Sequence, residues 1–129
     1  MNMSYQWAVR LRIALNVIAA IFMLWMPKEF IELLRFRVEP PLEWVQAFAI
    51  LVIFVTFAYV PSAIAALRAR AANAFVIAAP IIPVILLFWL GGSAWWEGFF
   101  WIALYELAFA LLLGMTFQND WIADLMSKP

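Results

Sequence analysis

Glu106 lies in the run FWIALYELAFALLLG, whose other side chains are all apolar or aromatic. A carboxyl in such a place can carry a proton, hold the polar head of a lipid-soluble ligand, or peg two helices together. It falls eight residues after Gly98 and eleven before Phe117, about 12 Å and 16 Å by helical rise, and so near the centre of a bilayer. A charge there costs at least about 2.5 kcal/mol, so burial favours the neutral form and calls for a hydrogen-bond partner. Arg12 and Asn16 share one face of the first apolar segment at one-turn spacing, and antiparallel packing puts Asn16 at the depth of Glu106. In AAPIIPV, Pro80 and Pro83 donate no backbone hydrogen bond, which frees carbonyls near Val76 and Ala79. A neutral Glu106 bonded to Asn16 or to a freed carbonyl is the expectation, with Arg12 snorkelling toward an interface; an ionised Glu106 would want Arg12. The first reading is a helix contact, and proton handling or ligand contact comes second.

Other polar positions are weaker candidates. Tyr59 joins Glu106 and Asn16 as a ligand-contact candidate, and Thr56 and Asn73 could line a small cavity with it, although Thr commonly bonds its own helix backbone. Met23 and Met26, one turn apart, read as packing rather than soft-metal ligands. Glu39, Glu43 and Glu97 read as solvated loop charges, with docking contacts as the alternative. The chain has no cysteine and no histidine, which excludes disulfides, thiol chemistry, and histidine-ligated haem, chlorophyll or zinc. Ser4, Ser62, Ser93 and Ser127 have no histidine base, there is no glycine-rich phosphate loop, and no metal or catalytic site is expected. If the chain holds a cofactor, a quinone, carotenoid or lipid is the kind that suits it.

The elements that must position these residues are helices. Of 129 residues 69% are hydrophobic and 12% charged, against roughly a quarter charged in soluble domains. Zero formal net charge sets nucleic acid aside as a partner and leaves membrane lipids and other membrane subunits. Four segments approach the roughly 20 apolar residues a spanning helix needs, at about 9–26, 44–60, 73–90 and 98–117. The first begins like a signal peptide but lacks a small-residue cleavage site and reads as a retained helix. The expected fold is all-α, an integral membrane four-helix up-down bundle in one domain.

A short amphipathic helix at about 28–37 is expected to lie in the membrane surface between the first two spans, with Pro27 opening it and Pro40-Pro41 stopping it. Four spans put Arg10, Arg12, Arg68, Arg70 and Lys128 on one side and Lys28, Arg35 and Arg37 on the other, which favours both termini in the cytoplasm. Trp25, Trp44, Trp89, Trp95 and Trp96 then mark one interface, and Trp7 and Trp121 the other. On a helical wheel of the last span Ala103, Ala110 and Gly114 form a small-residue packing face beside Glu106. Trp101, Tyr105, Phe109 and Leu112 fall opposite and are assigned to lipid.

The stretch YVPSAIAALRARAANAFVIAAPIIPVILLFWL, with an aromatic-x-Pro helix end, paired arginines and Asn-Ala opening the next helix, resembles the DoxX-like group of small four-helix bacterial membrane proteins. The resemblance covers about Tyr59 to Leu90 and implies a bacterial inner-membrane protein beside quinone-linked oxidoreductases. With the chain's small size and aromatic surface, it makes a non-catalytic accessory subunit of a larger energy-converting or oxidoreductase complex the leading expectation. A small quinone- or lipid-binding protein with a site around Glu106 is the alternative.

Overall fold

A computed structural model of the chain describes residues 4–36, 39–65, 68–91 and 98–127. These residues are helical with short connections, and no strand occurs among them. Helix α1, Tyr5–Trp25, starts four residues before its expected position because Ser4 caps it, its Oγ accepting from the Trp7 amide at 3.3 Å. At its other end the Gln46 side chain donates to the Leu24 carbonyl at 3.2 Å, one of the acceptors a helix C-terminus leaves unpaired.

Helix α2, Pro27–Leu34, has proline in its first turn and ends at Arg35, whose φ of 56° is left-handed. Its Ile31 is buried with Ala20, Met23, Val45 and Ala49, while Lys28, Glu29 and Glu32 are not buried. The amphipathic helix thus packs on the bundle by its apolar side. Arg37 lies outside the described residues. Phe36 rests on Gly98, where a Cβ would overlap its ring; this close approach requires glycine.

Prolines divide the remaining apolar segments. Helix α3, Leu42–Phe57, gives way at Ala58–Tyr59 to a short α4, Val60–Ala65. Pro61 cannot donate to Phe57, and the Ala58 and Tyr59 amides instead make tighter bonds to Val55 at 3.1 Å and Thr56 at 3.0 Å. Helix α5, Arg70–Ala78, and helix α6, Ile81–Gly91, replace the single expected helix at 73–90, interrupted where Pro80 and Pro83 remove two donors. Helix α7, Gly98–Met126, runs nine residues past its expected end at 117. At about 43 Å by rise it exceeds a hydrocarbon thickness of about 30 Å. Its last turns are correspondingly polar, with Gln118, Asn119, Asp120 and Asp124.

Three helical stretches are long and apolar enough to cross a membrane: Tyr5–Trp25, Leu42–Ala65 and Phe100–Met126. Arg70–Ile85 is a shorter apolar stretch. The chain is therefore an all-helical protein of membrane type. Helix α1 packs on α2, α3, α4 and α7, while α5 and α6 pack on α7. The Tyr5 amide donates to Asp120 at 2.8 Å, which sets the start of α1 beside the end of α7 and makes the two antiparallel. Among the described residues α3 and α6 have no extensive contact, and a cavity lies between them. The exposed Trp25, Trp44 and Trp89 lie at one end of the bundle and Trp7 and Trp121 at the other; Trp95 and Trp96 lie outside the described residues.

Candidate functional site

Arg12 and Glu106 meet in the interior. Arg12 Nη2 donates to Glu106 Oε2, and the two side chains are 4% and 14% exposed. Arg12 therefore does not snorkel: the turn of α1 that carries it faces α7, and the carboxylate takes up its charge inside the bundle. Glu106 is accordingly bonded to neither Asn16 nor a carbonyl freed by Pro80 or Pro83. A paired, hydrogen-bonded charge is the form in which ionised groups are tolerated in an apolar interior.

Aromatic rings close the rest of the guanidinium. Its carbon lies 5.0 Å from the ring centres of Tyr105 and Phe109 and 5.9 Å from that of Tyr59. Nε and Nη1 are fully covered and have no hydrogen-bond partner among the described residues; the negative faces of the rings supply what stabilisation they receive, about 2 kcal/mol for a desolvated contact. This cage explains why the wheel misplaced Tyr105 and Phe109, whereas Trp101 is exposed as assigned. Phe109 is 6% exposed and Tyr105 half-buried, because the buried cation and Asn16 draw them inward. Ala103 is fully buried, but Ala110 is half-buried, and a Cβ at Gly114 would meet nothing within 4 Å, so no neighbour approaches the backbone there. The small-residue face is thus not a seam of close helix contact along its length.

Asn16 is buried one turn along α1 and is engaged on both sides. Tyr105 donates to its Oδ1 at 2.8 Å, its Nδ2 donates to Thr56 Oγ1 at 3.2 Å, and Thr56 donates to the Val52 carbonyl at 2.7 Å. The chain ties α7 to α1 to α3 at one depth. Asn16 and Glu106 do lie level across the interface, since Tyr105 immediately precedes Glu106; the bond goes to the tyrosine. Asn73 lies apart from this group. It accepts from Tyr5 at 3.0 Å and from Ser62 at 2.7 Å, joining α1, α4 and α5 in a second buried cluster. Arg10 and Gln6 add bonds to the Ala63 carbonyl at 3.2 Å and 2.9 Å, capping the short α4. Sequence reasoning missed this cluster because its three members are far apart in the chain and ordinary in type.

Arg12, Asn16, Tyr59, Tyr105 and Glu106 form the polar end of a cavity of about 480 Å³, within the size range of small-molecule sites. The rest of its wall is apolar, from Ala19 and Met23 on α1 and Val52 on α3 to Ala79 and Pro83 at the proline break, with Phe30 and Leu34 of α2 at the far end. Phe48 and Leu51 of α3, Ile82 of α6 and Trp101 of α7 line it yet are exposed, so it opens sideways between α3 and α6. Thr56 and Asn73 do not line it. Met23 is buried and Met26 exposed, and no cluster of metal-ligating side chains occurs among the described residues. Glu39 and Glu43 are exposed; Glu97 lies outside the described residues.

Compared with protein-family models, curated proteins and solved structures, the chain matches none.

Proposed function

We propose that the protein is a small non-catalytic membrane protein that binds a lipid-soluble molecule within the bilayer, a quinone or lipid in the broad sense, taken up sideways between α3 and α6. The observation that carries this reading is the apolar cavity of about 480 Å³ with the Arg12–Glu106 pair at its inner end and exposed residues at its mouth. An enclosed polar end on an otherwise apolar, laterally open cavity suits a ligand with one polar end and an apolar body. In this reading α5 and α6 together form a fourth, proline-broken span, and the four spans put both termini on the cytoplasmic side of a bacterial inner membrane, with α2 lying along the opposite surface.

Membership of a larger complex is compatible with this activity. The exposed apolar residues that would meet a partner subunit are equally suited to acyl chains, so they favour neither. The likeness of residues 59–90 to the DoxX-like group does not carry the reading.

The test is to purify the chain in mild detergent, extract it with organic solvent and identify what is released. A lipid-soluble molecule near one per chain is expected from the unmodified protein and its loss from Ala79→Phe, which sets a ring into the cavity from its wall. Equal recovery from both would remove the cavity as its site.

A further inference from the structure

The chemistry of the cavity's polar end selects among lipid-soluble ligands. Resting on the proposed binding role, we infer that the site takes an uncharged molecule whose hydroxyl donates a hydrogen bond to Glu106, and that it discriminates against anionic lipids. Among the described residues the fully covered side-chain polar atoms without a partner are Arg12 Nε and Nη1. Glu106 Oε1 also has no partner among them, since the Arg12 bond goes to Oε2, yet it is not one of these covered atoms. It is therefore open, on a side chain that lines the cavity.

The donors are less available. The positive charge of Arg12 is sealed by three rings and spent on Glu106, and Asn16 is 5% exposed and bonded on both sides. The Tyr59 hydroxyl also has no partner among the described residues and is not one of the covered atoms, but it is a neutral donor, weaker in a hydrogen bond than the charged Glu106 acceptor. At the polar end of the cavity a ligand thus meets an open carboxylate oxygen, on a pair whose net charge is zero. An acceptor-only head finds no open donor of comparable strength, and an anionic head meets like charge. Depth reinforces this, because Glu106 stands about 12 Å along α7 from Gly98, and a phosphate or carboxylate would have to be carried inward to that level. The chemistry is shared by two sources, phenolic hydroxyls such as alkylated hydroquinones and aliphatic alcohols of lipids.

A matched donor and acceptor pair tests it. Thermal unfolding of the purified full chain in a neutral detergent is followed with decylhydroquinone, the corresponding decylquinone, dodecanol and laurate, since a ligand that binds the folded state raises the unfolding temperature. The hydroquinone and the alcohol are expected to bind about tenfold or more tightly than the quinone and laurate, the ratio of a hydrogen bond to a charged acceptor. Hydroquinone above dodecanol identifies a ring-bearing source, and the reverse an aliphatic one. Glu106→Gln leaves Arg12 without its counter-charge, so the preference should invert toward laurate; a merely structural glutamate would lower stability without inverting it. The ranking in the unmodified protein needs no variant and stands even if Glu106→Gln does not fold. Quinone or laurate binding best, and abolished by Ala79→Phe, overturns the donor selectivity while leaving cavity binding intact. No probe shifting the unmodified protein more than Ala79→Phe overturns both.

Discussion

At the scale of single residues, the Arg12–Glu106 pair decides how the interior is organised. Removing one partner leaves an uncompensated buried charge, which costs about 3–5 kcal/mol, whereas replacing both by apolar side chains of similar volume is far cheaper. Arg12→Met alone and Glu106→Leu alone are therefore expected to lower the unfolding temperature in detergent sharply, and the double variant to recover most of the loss. Additive losses would contradict an interacting pair. Glu106 was conspicuous in the sequence as a carboxylate in an apolar run, and so was the shared face of Arg12 and Asn16. The identity of the partner was not legible. It depends on whether an arginine seven residues into α1 turns inward or out to an interface, and both outcomes share one sequence pattern. The aromatic cage was hidden for a related reason: Tyr105 and Phe109 are as suited to lipid as to a buried cation.

At the scale of elements, proline placement and the caps shape the bundle. Helix existence was readable from apolar run lengths and the start of α2 from Pro27, while α3 begins at Leu42, two residues before its expected start at 44. The breaks at Ala58–Tyr59 and Ala79–Pro80 were only half readable, since a proline removes a hydrogen bond wherever it stands but breaks a helix only where neighbours do not hold it straight. The end of α7 lay beyond the expected limit because a helix can continue out of the apolar layer once its side chains turn polar. The contact of Phe36 with Gly98 had no sequence signal. Gly98→Leu should displace that ring and loosen α2, at about 1–3 kcal/mol for an overpacked site. Amide hydrogen exchange across 27–34 should quicken, while α1 and α3 stay protected; unchanged exchange in α2 would show that the contact does not hold it.

At the scale of the whole molecule, topology links site and membrane. The Tyr5–Asp120 bond sets the beginning of α1 and the end of α7 side by side, with α2 at the far end of the bundle. The native sequence contains no cysteine, so single cysteines report sidedness directly. In oriented vesicles Ser4→Cys and Ser127→Cys are expected to react with an impermeant maleimide from one side and Glu32→Cys from the other. Labelling of all three from one side would contradict the four-span arrangement. The cavity itself was beyond sequence reasoning, because it arises where α3 and α6, both wholly suited to packing, leave one another uncovered. A crystal structure of the chain grown from a lipidic mesophase tests cavity binding most directly. Elongated density is expected between α3 and α6 with its polar end against Glu106 and the Arg12–Glu106 pair intact; a cavity filled by the protein's own side chains, or Arg12 turned out to the surface, would contradict it.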